Sequence, residues 1–142
     1  MKISNILASK GVKVIMIRPD QTLRDAVALL GEHNIGALVV VNASGAPIGI
    51  LSERDIVREL ARRDNVLALK VDALMTRDLV TGSPHDDLGS VLRTMTDRHF
   101  RHLPVLDEGR LAGIVSIGDV VKAQISQYQG EIETLETRVT QG

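Results

Sequence analysis

One pattern occurs twice in this chain. Gly49-Ile50-Leu51-Ser52-Glu53-Arg54-Asp55-Ile56-Val57 returns as Gly113-Ile114-Val115-Ser116-Ile117-Gly118-Asp119-Val120-Val121, at a constant offset of 64 residues. Upstream, Leu23, Ala26, Ala37 and Val40 correspond to Leu88, Val91, His102 and Val105 at an offset of 65. The one-residue change falls between the segments Asn42-Ala43-Ser44-Gly45 and Asp107-Glu108-Gly109. Both are turn sequences, and exposed turns are where length changes are tolerated. Two copies of one supersecondary unit imply a pseudo-symmetric domain whose sites come in pairs.

The order within each copy follows from hydrophobic spacing. In the first, Val12 to Ile17 forms a short β-rich run that ends before Pro19. Leu23, Ala26, Val27 and Leu30 then recur at helical spacing, with Thr22 as N-cap and Asp25 as its capping-box partner. Ala37 to Val41 is a continuous apolar strand of the fully buried kind. Pro47 to Leu51 is its return strand, and a second helix starts at Ser52 with Ile56, Val57 and Leu60 as its apolar residues. In the second copy the same order runs through a strand at Asp78–Thr81 and a helix bearing Leu88, Val91, Leu92 and Met95. A hairpin of residues 103–106 and 111–115 follows, then a last helix from near Ser116. Each copy is strand–helix–strand–strand–helix, an α/β (α+β) arrangement. Arg62 to Asn65 is a loop, and residues 71–76 form a short helical turn. The expected division is 1–66 for the first unit, 67–125 for the second and 126–142 for a C-terminal amphipathic helix.

In the tail, Ile125, Tyr128, Ile132, Leu135 and Val139 are spaced as a heptad seam. It lasts about two heptads and Gly130 interrupts it. Two readings stay open: a terminal helix packed on its own domain, or one that pairs with another subunit.

Composition narrows the function. The 142 residues include one Phe, one Tyr and no Trp, so the apolar 44% is essentially aliphatic. That argues against nucleic-acid binders that stack bases on aromatic rings. A net charge of −1 provides no single-sign field to recruit nucleic acid or an anionic membrane. There is no cysteine, which excludes disulfides and thiol catalysis. The N-terminus lacks the features of a signal peptide, and no apolar run approaches the ~18 residues of a membrane span. A soluble cytoplasmic protein is expected. His33, His85, His99 and His102 show no metal-ligand spacing; His33 and His85 are expected on the surface. Met75 and Met95 are expected in the core, and Glu131, Glu133 and Glu136 on the wet face of the tail.

The residues with chemical potential are Ser52-x-x-Asp55 and Ser116-x-x-Asp119. A single Ser-x-x-Asp before a helix is a capping box and nothing more. Here it occurs twice, each time between a buried strand and a helix. A Gly lies three residues before each Ser, where backbone could approach a ligand. A helix N-terminus offers free amides and positive potential to phosphate. A carboxylate only accepts, which suits two vicinal ribose hydroxyls. These groups together describe a ribonucleotide site.

Tandem units ending in Gly-Ile-x-Ser-x-x-Asp resemble a pair of cystathionine-β-synthase (CBS) domains, a Bateman module. The resemblance spans roughly residues 10–125. It is carried by Ser52 to Arg58, Phe100-Arg101-His102-Leu103-Pro104-Val105 and Ser116 to Lys122, which look like small stand-alone bacterial members. The resemblance implies two pseudo-symmetric units packed sheet to sheet, with clefts between them for AMP, ADP, ATP, NAD(H) or related adenosyl ligands. AMP is the first expectation, with no metal required. It implies a homodimer and an unidentified protein target, with neither nucleic acid nor membrane as partner. Carried over, Asp55 and Asp119 bind ribose, and Ser52 and Ser116 bind phosphate. Ile15, Ile17, Val80 and Thr81 line the adenine pocket, with Ala37 and His102 on its other wall. Arg54 and Arg101 supply positive charge, and Arg54 and Arg101 converge on one ligand if the clefts are shared.

The implied function is a non-catalytic nucleotide-sensing regulator. Two alternatives remain: an interaction protein with vestigial clefts, and an enzyme acting on nucleotides. The chain lacks Gly-x-Gly-x-x-Gly, a P-loop and a triad.

Overall fold

A computed structural model describes residues 1–11 and 14–141. The first expected strand therefore begins, at Val12 and Lys13, outside the described residues. The chain forms two compact units, Lys13–Val80 and a composite of Met1–Val12 with Thr81–Gly142.

In the Lys13–Val80 unit, β1 (Met16–Ile17) runs parallel to β2 (Ala37–Val41), and β2 pairs antiparallel with β3 (Pro47–Ser52). All five β2 residues are buried, as a central strand covered on both faces requires. Asn42 ends β2 by accepting the Ser44 and Ala46 amides on its side-chain oxygen, at 3.0 Å each. This Asx geometry leads to Gly45 at φ 85°, a conformation that favours glycine. Helix α2 (Leu23–His33) starts in the expected reciprocal box of Thr22 and Asp25 and ends on Asn34 in the left-handed region. Helix α3 (Glu53–Leu60) follows β3 directly. Its Ile56 is buried, but Val57 and Leu60 face outward at 63% and 50% exposure, so only part of its expected apolar stripe serves the core. Ile17, Leu23, Ala26, Leu38, Val40, Leu51, Ile56 and Met75 belong to one core cluster, which the single helical turns at Val66–Ala68 and Val71–Ala73 close off. The free edge of β3 is capped by reciprocal bonds between Ile50 and Thr76, at 3.0 and 2.9 Å.

The composite unit repeats the hairpin as β4 (His102–Asp107) and β5 (Arg110–Ser116). Its turn residues Glu108 and Gly109 both have positive φ, the signature of a two-residue hairpin loop. Helix α4 (Leu88–Arg98) is capped by Asp87 and ends on left-handed His99, the counterpart of Asn34. The strand expected at Asp78–Thr81 does not form. Gly82 instead makes a single parallel bridge to Val105, bonding Pro104 and Leu106 at 2.9 Å each. That bridge is the counterpart of Ile17 opposite Val40. The bridge lies just past Val80 and Thr81 because pairing, not propensity, fixes where a short strand lies.

An N-terminal helix, α1 (Ile3–Lys10), was not anticipated. Its Ile3, Ile6 and Leu7 are buried, and it packs against β5 and the last helix, α5 (Ile117–Gln141). Residues 1–12 thus join the second copy in space although they precede the first in sequence. Residues 67–80 likewise complete the first copy. Two glycines record this exchange. A Cβ on Gly49 would lie 2.7 Å from Met75 Sδ, and one on Gly113 would lie 2.5 Å from Leu7 Cδ2. These glycines therefore admit a neighbouring core side chain, where the sequence had suggested a ligand.

Helix α5 runs through Gly130 without a break, so the last helix of the second copy and the tail are one 25-residue helix. Met75 and Met95 are buried, as expected. His33 is half-buried and His85 is exposed. Among the described residues, no buried side-chain nitrogen or oxygen lacks a partner, and no helix is long and apolar enough to cross a membrane.

Candidate functional site: two capped helix starts

Both Ser-x-x-Asp sequences sit where a buried strand turns into a helix. Ser52 is the N-cap of α3. Its Oγ accepts the Asp55 amide at 3.3 Å, and Asp55 Oδ2 accepts the Ser52 amide at 3.1 Å and the Ser52 hydroxyl at 2.9 Å. At α5, Ser116 Oγ accepts the Asp119 amide at 3.0 Å and Asp119 Oδ2 accepts the Ser116 amide at 2.9 Å. Both are complete capping boxes with Asp in the third position. A second contact is repeated from the residue just before the neighbouring strand. The Glu53 amide donates to the Gly36 carbonyl at 2.9 Å, and the Ile117 amide donates to the Arg101 carbonyl at 2.8 Å. The first and third amides of each helix are therefore satisfied. Among the described residues, no protein acceptor meets the intervening amides of Arg54 and Gly118, which keep the donor capacity of a helix start.

The expected site residues distribute over both units. Ser52, Arg54, Asp55, Ile15, Ile17, Ala37 and Val80 belong to the Lys13–Val80 unit. Thr81, Arg101, His102, Ser116 and Asp119 belong to the composite unit. Strand pairing puts Ala37 opposite Ser52 and His102 opposite Ser116, so the expected pocket wall and the cap are adjacent in each copy. Ser52, Asp55, Ser116 and Asp119 are half-buried, and Arg54 and Arg101 are exposed. Ile17 and Ala37 are buried, with Ile17 in the core cluster, so only their backbone could line a pocket. Ile15, Val80 and His102 are half-buried and Thr81 is exposed.

One charged group at the second helix start has no signal in the local sequence. Lys10, at the end of α1, donates to Asp119 Oδ2 at 2.7 Å and to the Ile114 carbonyl at 3.1 Å. Burial works against ionisation of Asp119. The Lys10 ammonium and the Ser116 amide outweigh it and hold the carboxyl below the usual carboxylate range. The Lys10–Asp119 contact spans 109 residues, so no local pattern announces it. Among the described residues, no cluster of His, Cys, Asp and Glu could hold a metal ion.

The CBS domain profile matches the chain twice, at residues 4–62 and 71–126. The CBS domain-containing protein CBSX3, mitochondrial, of Arabidopsis thaliana is 34% identical over 99% of this chain and 72% of its own length. The crystal structure of the CBS-domain containing protein ATU1752 from Agrobacterium tumefaciens superposes with a TM-score of 0.84 and 39% identity, covering 87% of this chain and 99% of that one. The CBS domain pair of protein MJ0100, crystallised in complex with 5′-methylthioadenosine and S-adenosyl-L-methionine, gives a TM-score of 0.77 at 25% identity, over 87% of this chain and 98% of that one.

Proposed function

The chain belongs to the CBS-domain family as a tandem pair, and from that premise we propose that it is a non-catalytic regulatory module that binds an adenine nucleotide. The supporting observation is the duplicated helix start, with a cap hydroxyl, an unclaimed second amide and a half-buried carboxylate at equivalent places. The amide and the Ser hydroxyl meet phosphate, and the carboxylate accepts from ribose. The ligands of the MJ0100 pair share the adenine and ribose of this class and carry no phosphate, so they support the adenosyl half of the reading. AMP is the leading candidate, with ADP, ATP and NAD(H) as others. The module acts in the cytoplasm as a homodimer and changes its affinity for a protein target when ligand binds. Such coupling is reciprocal, so the target must alter nucleotide affinity by the same factor.

The two copies are unequal on this reading. The first has Arg54 beside its cap, whereas the second has Gly118 and a lysine already on Asp119. The Ser52–Arg54–Asp55 start is the stronger nucleotide site, and Lys10 competes with ribose at the other. Titration calorimetry of nucleotide-stripped protein with AMP, ADP, ATP, NADH and S-adenosylmethionine tests the reading. One ligand binding in the micromolar range without turnover is expected. No heat from any ligand, or conversion of one, removes it.

A further inference from the structure

The first half of α5 is anchored, with Val120 fully buried and the helix packed against α1, α4 and β5. Beyond it the helix leaves its unit. Val121, Ile125, Tyr128, Ile132, Leu135 and Val139 line one face, at successive spacings of four and three. Their exposure rises from 39% at Val121 to 80% at Val139. The tail is therefore not packed on its own domain. The seam covers most of a helix about 37 Å long at ~1.5 Å per residue. A continuous apolar stripe left in water marks a surface that a partner covers.

We propose that this face pairs with the same face of a second copy, antiparallel. The inference rests on the homodimer included in the proposed function and specifies how that dimer is held. The seam is symmetric about its centre. In the antiparallel register, Val121 faces Val139 of the second copy, Ile125 faces Leu135, and Tyr128 faces Ile132, so every layer is apolar. A parallel pair would also stack apolar layers, and the flanking charges decide between the two. In a heptad with Ile125, Ile132 and Val139 at the a positions, the e positions are Lys122, Gln129 and Glu136, and the g positions are Gln124, Glu131 and Arg138. A parallel pair sets Glu131 against Glu136 on both sides and forms no opposite-charge pair. The antiparallel pair sets Lys122 against Glu136 twice, Gln124 against Arg138 twice and Glu131 against Glu131 once. Attraction therefore outnumbers repulsion only when the helices run in opposite directions.

Sedimentation equilibrium of the full chain tests this. The wild type is expected to dimerise. Ile132→Asp is expected to weaken the dimer by roughly 100-fold, because it would bury an unpaired charge at the centre of the seam. The Ile132 side chain is outside the core, so Ile132→Asp should still unfold cooperatively, at a temperature lowered only by the loss of the dimer. Glu136→Lys is expected to weaken dimerisation severalfold, and Lys122→Glu combined with Glu136→Lys to restore it. A monomeric wild type would overturn both the homodimer and its tail. A dimer insensitive to Ile132→Asp would overturn the tail alone. A dimer tightened by Glu136→Lys would overturn the antiparallel direction, since that change relieves the repulsion of the parallel pair.

Discussion

At the start of α3 the Asp55 carboxylate accepts the amide and hydroxyl of Ser52 within its own cap. At the start of α5 the same oxygen of Asp119 accepts the Ser116 amide and also takes the Lys10 ammonium. The two starts share their backbone hydrogen bonds, down to the carbonyl just before the neighbouring strand that receives the first helical amide. The difference comes from the segment laid over each copy: Met75 and Thr76 on the first, α1 with Leu7 and Lys10 on the second. A duplicated sequence thus gives two equivalent scaffolds, and what covers them makes the sites unequal.

The glycines test how equivalent the scaffolds are. Gly49→Ala should cost about 1–3 kcal/mol of stability, as overpacking does. The new Cβ would meet Met75 Sδ at 2.7 Å and also the Thr76 carbonyl oxygen at 3.1 Å. Gly113→Ala should cost less, because its close contact is the tip of Leu7 alone. Denaturant titration of both variants checks the order; equal losses would mean that the covering segments yield alike.

Charge at the two cap regions comes next in size. Arg54→Ala should lower affinity for ATP by about tenfold, close to 1.4 kcal/mol, and lower affinity for AMP less. Unchanged affinities by calorimetry would remove Arg54 from the site.

Smaller still is the Lys10 contact. Lys10→Met should destabilise the protein by less than about 1 kcal/mol, since both partners are partly exposed. It should also strengthen nucleotide binding at the second copy by releasing Asp119. Weaker binding there would mean that Lys10 assists the ligand.

The smallest effect is in acid. A carboxylate whose folded pKa is depressed contributes stability above its unfolded pKa of about 3.9 and loses it as pH falls through the folded value. The stability difference between wild type and Lys10→Met should therefore be constant near neutrality and disappear at pH below about 4. A gap that persists in acid would assign the contact to packing.

Much of this was legible in the sequence because the signals are local. The five apolar residues of β2, the Asx turn at Asn42, the N-caps Thr22, Ser52 and Ser116 and the offset between copies all follow from neighbours a few residues apart. What the sequence withheld depends on distant contacts. Ile3, Ile6 and Leu7 have helical spacing, but over two turns that spacing does not say where α1 docks. Gly49 and Gly113 looked like openings for a ligand because their occupants, Met75 and Leu7, lie far away in the chain. Gly130 suggested a break in α5, yet a lone glycine costs a helix only about 1 kcal/mol.

The inequality of the two helix starts is tested most directly by calorimetric titration of Asp55→Asn and Asp119→Asn beside the wild type. Asn retains an oxygen that can accept the Ser amide, so the cap survives while the carboxylate charge is lost. The account predicts that Asp55→Asn weakens the main binding event by about tenfold or more, the scale of a lost charged hydrogen bond, and that Asp119→Asn leaves it within a factor of about two. Equal losses from both, or a loss only from Asp119→Asn, would contradict it.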